Sequence, residues 1–167
     1  MSSIRPAEVP GLLARRAIEQ FLLWSMRTWV QAFDDRPWKA AEMREAFAAV
    51  EAGEAGDHLD HGMTLLAAGA VGVIEVNCPR CRNVTEDEHD LVLVLAALQR
   101  GDEAMAGGLL AAWLPPAALR LCLPTMRRAA LALEEAGYPV PMRERAVRPP
   151  TVRAGDGLPQ LDRSRLH

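Results

Sequence analysis

The chain has 167 residues and a net charge of −3, and half of its residues are apolar, with few aromatic side chains. This length suits one domain with a tail, and an apolar fraction rich in Ala and Leu favours helices over sheets. The charge gives no reason to expect a polyanion-binding protein. We find neither a signal-peptide pattern nor an apolar run of the roughly 20 residues that span a bilayer. The three cysteines form no disulfide framework, so we expect reduced thiols in a cytoplasmic protein.

The apolar residues of the first part of the chain recur at helical spacing. This spacing predicts a first helix over residues 11–33, with an apolar stripe made of Ile18, Leu22, Met26, Trp29 and Phe33. Pro37 would lie in the first turn of a second helix, which Gly53 and Gly56 would end. Asp57 is a favourable N-cap residue, so a third helix is predicted to begin there.

The middle of the chain combines an extended segment with a strong helix start. Residues 71–76 are rich in Val and predict a short extended segment directly before Cys78. Thr85 and Glu88 have the spacing of a capping box, in which each residue hydrogen-bonds the backbone N–H of the other. They predict the start of a fourth helix, and Gly101 predicts its end.

A short fifth helix and a longer sixth helix are predicted to follow. Pro116 would open the sixth helix and Gly137 would end it, while Pro124 predicts a kink within it or a division into two helices. The predicted fold is therefore all-α, a compact bundle of about six helices with one short extended segment. We assign residues 1–137 to this helical domain and residues 138–167, rich in Pro and Arg, to a flexible tail.

The motif most indicative of chemistry is Cys78-Pro79-Arg80-Cys81. Two cysteines at this spacing bind one metal ion, or they form and reopen a disulfide. Zinc in a structural site takes four ligands in a tetrahedron, so two more are needed. The nearest histidines along the chain are candidates for the two further ligands. The candidate zinc ligands are therefore Cys78, Cys81, His58, His61 and His89.

The candidate histidines differ in how easily the chain can bring them to Cys78 and Cys81. His58 and His61 are neighbours at the start of the predicted third helix, which is about 20 Å long at 1.5 Å per residue. The extended residues 73–77 span at most about 17 Å, so this segment is barely long enough to bring Cys78 back to His58 and His61. His89 is closer to the cysteines in sequence. Cys122 lies on an apolar helical face, where a buried and inert thiol is expected.

These features lead to three hypotheses of function. The first is a non-enzymatic interaction or regulatory module with a structural zinc site, and it binds a protein partner or a second copy of itself. The second is a thiol redox protein that uses the two cysteines. The third is a nucleic-acid-binding regulator that uses the basic tail. We find no nucleotide-binding loop, catalytic triad, membrane segment or small-molecule substrate signature.

Overall fold

A computed structural model of the chain describes residues 8–34 and 37–142, with side chains from 16–33 and 37–142. Within these ranges the chain forms six helices and no strand, which confirms the predicted all-α bundle. The helices are α1 (Glu8–Asp34), α2 (Lys39–Ala49), α3 (Gly53–Gly69), α4 (Glu86–Gln99), α5 (Glu103–Leu110) and α6 (Pro116–Glu135).

Helix α4 lies at the centre of the bundle. Every side chain from Leu91 to Leu98 is buried, so this part of the helix is apolar on all sides and has no solvent face. Helices α1, α5 and α6 all pack against α4, while α3 and α6 form the most extensive helix pair of the described chain. The first turn of α4 carries the predicted capping box, and the model contains both of its hydrogen bonds.

Helix α3 begins five residues earlier than predicted, at Gly53 after an Ala52 N-cap instead of after an Asp57 N-cap. Gly53 and Gly56, which suggested an end to α2, lie within α3 instead, and Gly56 allows α2 to approach closely. A Cβ atom on Gly56 would lie 2.7 Å from Cγ of Phe47, and one on Gly69 would lie 2.6 Å from Cβ of Ala118. Small residues therefore set how closely α2 and α6 pack against α3.

Helix α1 buries most, but not all, of the apolar stripe predicted for it. Ile18, Leu22, Met26 and Trp29 are buried as predicted, but Phe33 is 66% exposed, which contradicts its assignment to the core. Its ring stacks on the indole of Trp29 at a centroid distance of 5.1 Å. The helix also buries three polar residues, Ser25, Arg27 and Thr28.

The segment that links α3 to α4, residues 70–85, is called here the cysteine loop. Its first part, where the sequence predicted a short extended segment over residues 71–76, bends at residues 71–72 and forms no strand in the described chain. Instead, Asp87 of α4 accepts a hydrogen bond from the backbone N–H of Glu75 (2.7 Å) through its carboxylate. Glu88 accepts one from the backbone N–H of Asn77 (2.9 Å) in the same way.

Helices α4 and α6 end just before the glycines that the sequence predicts to end them. Gly101 and Gly137 have positive φ angles of 75° and 88°, the left-handed conformation that glycine adopts easily at helix ends. Pro124 lies inside one continuous helix from Pro116 to Glu135, so the predicted alternative of two separate helices is wrong.

The structure describes the first five residues of the predicted tail. The hydroxyl of Tyr138 donates to the carbonyl of Val50 (3.0 Å), and the backbone N–H of Val140 donates to the side chain of Gln99 (2.7 Å). These residues pack against the helical body. Residues 143–167 lie outside the described chain, so the flexible tail and its binding to nucleic acid stay predictions.

Candidate functional site: the cysteine loop

The cysteine loop brings Cys78 and Cys81 to the two ends of one tight turn. The backbone N–H of Cys81 donates to the carbonyl of Cys78 at 3.0 Å, with Pro79 and Arg80 as the central residues. Proline is favoured at the first central position because its φ angle is already fixed near the required value. Both cysteines are exposed and reduced.

The two sulfur atoms interact directly. The Cys81 thiol donates a hydrogen bond to the sulfur of Cys78, which lowers the pKa of Cys78 and raises the pKa of Cys81. The backbone N–H groups of Arg80 and Cys81 also donate to Cys78 and lower its pKa further. The turn therefore favours a thiolate at Cys78, and a thiolate is the form that binds metal or attacks a disulfide.

A buried ion pair supports this turn from inside the bundle. In the guanidinium of Arg27, Nε lies 2.6 Å from Oε1 of Glu88 and Nη2 lies 2.8 Å from Oε2. The same guanidinium donates to two carbonyls of the cysteine loop, from Nη1 to Cys81 (2.7 Å) and from Nη2 to Asn83 (2.8 Å). Arg27 thus connects α1, α4 and the cysteine turn through one rigid, planar group.

Glu88, the partner of Arg27, also holds the backbone of the cysteine loop. Its carboxylate also accepts hydrogen bonds from the backbone N–H groups of Asn77 and Thr85, both at 2.9 Å. Burial alone would raise the pKa of Glu88, but Arg27 and these two N–H groups outweigh burial, and the pKa is lowered. The hydrogen bond to Glu88 in turn raises the pKa of Arg27. Both groups are therefore charged at neutral pH.

Side-chain contacts hold the two arms of the loop next to each other. The Thr85 hydroxyl donates to the carbonyl of Glu75 at 2.6 Å, and the Asn77 amide donates to the carbonyl of Asn83 at 2.9 Å. These contacts replace the backbone ladder of a β-hairpin. The cysteine turn is consequently the exposed tip of a loop whose base is fixed.

The histidines of the predicted ligand set do not join the cysteines. His58 and His61 lie in the first half of α3, where His61 is exposed and His58 is half-buried. His89 lies in the first turn of α4 and is also half-buried. Across the described ranges, no three His, Cys, Asp or Glu side chains gather closely enough to hold one metal ion.

Cys122 has a different environment. It is fully buried in α6, and its thiol lies 3.7 Å from the carbonyl of Gly62. Burial raises the pKa of this thiol to about 11. Cys122 is therefore a core residue, as its position on an apolar face predicts.

Arg27 is a residue of the site that no sequence motif identified. The apolar residues around Arg27 on the helix indicate that its side chain is buried. Leu23, Trp24 and Val30 lie four before, three before and three after Arg27, so they flank it on the helix surface. An arginine inside such an apolar surface needs a buried acidic partner, and Glu88 is that partner.

Comparison with known proteins finds no matching family model, curated protein or solved structure. None of the helices in the described ranges has the length and apolar character needed to cross a membrane. The cysteine loop presents two exposed thiol side chains on one turn, whose backbone is held by hydrogen bonds from Arg27.

Proposed function

We propose that this protein is a non-enzymatic interaction module in which Cys78 and Cys81 bind a zinc ion as half of a four-ligand site. The observation that carries the proposal is the exposed turn itself, in which a 3.0 Å backbone hydrogen bond from Cys81 to Cys78 holds both cysteines at its two ends. Zinc binds cysteine as thiolate, and the N–H groups that donate to Cys78 favour that form.

The hydrogen bonds that hold the loop backbone favour a structural zinc site with fixed ligands. Arg27 and Glu88 fix the loop backbone on both sides of Cys81 through charge-assisted hydrogen bonds. Partners that orient the ligands and hold them before the metal arrives raise the affinity of a metal site. We also place the protein in the cytoplasm, because three unevenly spaced cysteines are not the disulfide framework of a secreted protein.

A metal assay on the untagged protein, purified under reducing conditions, tests this proposal. We expect zinc in a fixed ratio to the chain in the wild type and none in the Cys78→Ser, Cys81→Ser double variant. The matched control is Cys122→Ser, which should retain all the zinc. A wild-type protein with no more zinc than the double variant would contradict the proposal.

The lowered pKa of Cys78 favours one second candidate, thiol–disulfide exchange. In that reaction the Cys78 thiolate attacks a disulfide of a partner protein, forms a mixed disulfide and releases one partner thiolate. Cys81 then loses its proton and attacks the Cys78 sulfur, which leaves a Cys78–Cys81 disulfide and a fully reduced partner. Against it, α4 begins only at Glu86, so no helix N-terminus lies at either cysteine to activate it.

The two candidates make different predictions for turnover. A redox protein would accelerate the reduction of insulin by dithiothreitol, and Cys78→Ser would abolish the acceleration. A zinc module would leave the rate at that of dithiothreitol alone.

A further inference from the structure

We infer that the missing half of the zinc site comes from a second copy of this chain, so that one zinc ion joins two cysteine turns in a symmetric dimer. This inference rests on the proposed zinc binding. It adds the identity of the partner and the ratio of one metal ion to two chains.

The number of available ligands points to a second molecule. A closed structural zinc site needs four, and the described part of the chain offers two that lie together. The turn is exposed, so its sulfurs are accessible to another molecule. A second copy is the one partner certain to present the same pair of sulfurs on the same fixed turn.

Symmetry then gives the correct coordination geometry. A tetrahedron of four sulfurs has a two-fold axis that passes between the Cys78 sulfurs of the two copies on one side of the metal and between their Cys81 sulfurs on the other. Two identical Cys-x-x-Cys turns related by a two-fold axis through the metal therefore supply all four corners. Such a contact is closed, because each copy contributes the same surface and no further copies can add.

Charge also favours this arrangement. Four thiolates and one Zn²⁺ carry a total charge of −2, which needs compensation where water is excluded. Each copy brings Arg80 and Arg82, which flank Cys81 in the chain, whereas the charge of Arg27 is already balanced by Glu88. The loop thus carries positive charge next to the position of the anionic cluster.

The cysteine loop also exposes apolar side chains that a second copy would cover. Val71 is 74% exposed, Val73 is 85% exposed and Val84 is 49% exposed. All three belong to the two arms that lead to the cysteine turn. Their concentration on one loop provides an apolar rim for the metal-bridged contact, whereas a free surface loop gains nothing from three exposed valines.

Native mass spectrometry and light scattering of the full chain, with zinc measured on the same samples, test the inference. We expect a particle of twice the 18.3 kDa chain mass with one zinc ion. A chelator should convert it to a zinc-free monomer, and zinc should restore the dimer. Cys122→Ser should behave as the wild type, while the Cys78→Ser, Cys81→Ser variant should stay monomeric.

Other outcomes separate this inference from the proposal beneath it. A monomer with one bound zinc ion would overturn the dimer but retain zinc binding, with the other ligands supplied by the same chain. A dimer that persists without zinc would also overturn the bridging role of the metal. A protein that binds no zinc would overturn both statements.

A pair of surface variants tests the apolar rim. Val73→Asp should raise the dissociation constant of the zinc-bound dimer at least threefold. Leu121→Asp replaces a comparably exposed apolar residue (63%) on α6 and should leave the constant unchanged. Equal effects of the two variants would place the valines outside the interface. Circular dichroism of each variant verifies that the helical fold is retained.

Discussion

Arg27 and Glu88 are 61 positions apart in the chain, yet they form a two-pronged ion pair with N···O distances of 2.6 and 2.8 Å. Both side chains are buried, and Glu88 has no exposed surface at all. Their remaining hydrogen-bonding groups bind the backbone of the cysteine loop on both sides of its turn. The pair therefore couples the stability of the bundle to the geometry of the two sulfurs.

The first prediction concerns the stability that depends on this pair. Arg27→Ala should lower the free energy of unfolding by about 3–5 kcal/mol, because it leaves the Glu88 carboxylate buried without its counter-charge. The matched control is Arg127→Ala, which removes the exposed pair between Arg127 and Glu103 (3.2 Å). An exposed pair contributes about 0–1 kcal/mol, so the control should change little. Equal losses in urea unfolding would contradict the role assigned to Arg27.

The second prediction concerns pH. The pKa of Glu88 is lower in the folded chain than in the unfolded chain, where a glutamate titrates near 4.3. Its contribution is therefore fully present above about pH 4.3 and is lost as the pH falls through the folded value. The urea midpoint of the wild type should fall over this acid range, and Glu88→Gln should remove that part of the fall. The comparison is made with a chelator present, so that zinc release does not contribute. A Glu88→Gln curve parallel to the wild type would contradict the assignment.

The third prediction concerns the close approach at Gly56. Gly56→Ala should destabilise the bundle by about 1–3 kcal/mol, because the new methyl group would overlap the buried ring of Phe47. Gly108→Ala is the matched control, since Gly108 also lies in a helix but has no atom within 4 Å of the new methyl. That control should gain about 0.5–1 kcal/mol from the better helix propensity of Ala. Thermal unfolding of both variants distinguishes overlap from propensity.

The fourth prediction concerns thiol reactivity. In the metal-free protein, two thiols should react rapidly with Ellman's reagent, because Cys78 and Cys81 are exposed. The third, Cys122, should react only on unfolding, because it is buried and its pKa is raised to about 11. Cys122→Ala should remove the slow thiol and leave the fast pair. Addition of zinc should protect the fast pair, and three equally fast thiols would contradict the burial of Cys122.

The sequence predicted the helices well because their signals are local. Apolar spacing defines α1, α4 and α6, and the Thr85–Glu88 capping box marks the start of α4 directly. The start of α3 was misplaced because Gly56 served as evidence for a helix end. Its actual role depends on Phe47, which only the tertiary structure brings against it.

The candidate site was predictable only in its local part. The spacing of Cys78 and Cys81 predicts a turn with two adjacent sulfurs, and the structure contains that turn. The support from Arg27 was missed because it joins residues that are more than 50 positions apart. Which residues complete a metal site depends on tertiary or quaternary contacts, and sequence spacing does not encode these.

The central claim is most directly tested by the zinc ligand shell. X-ray absorption at the zinc edge of the untagged, reduced protein counts the sulfur neighbours of the metal and measures their distance. The account predicts four sulfurs at about 2.3 Å, two from each copy of the chain. A shell of two sulfurs with two nitrogen or oxygen neighbours would contradict the shared site, and a shell without sulfur would contradict zinc binding at Cys78 and Cys81.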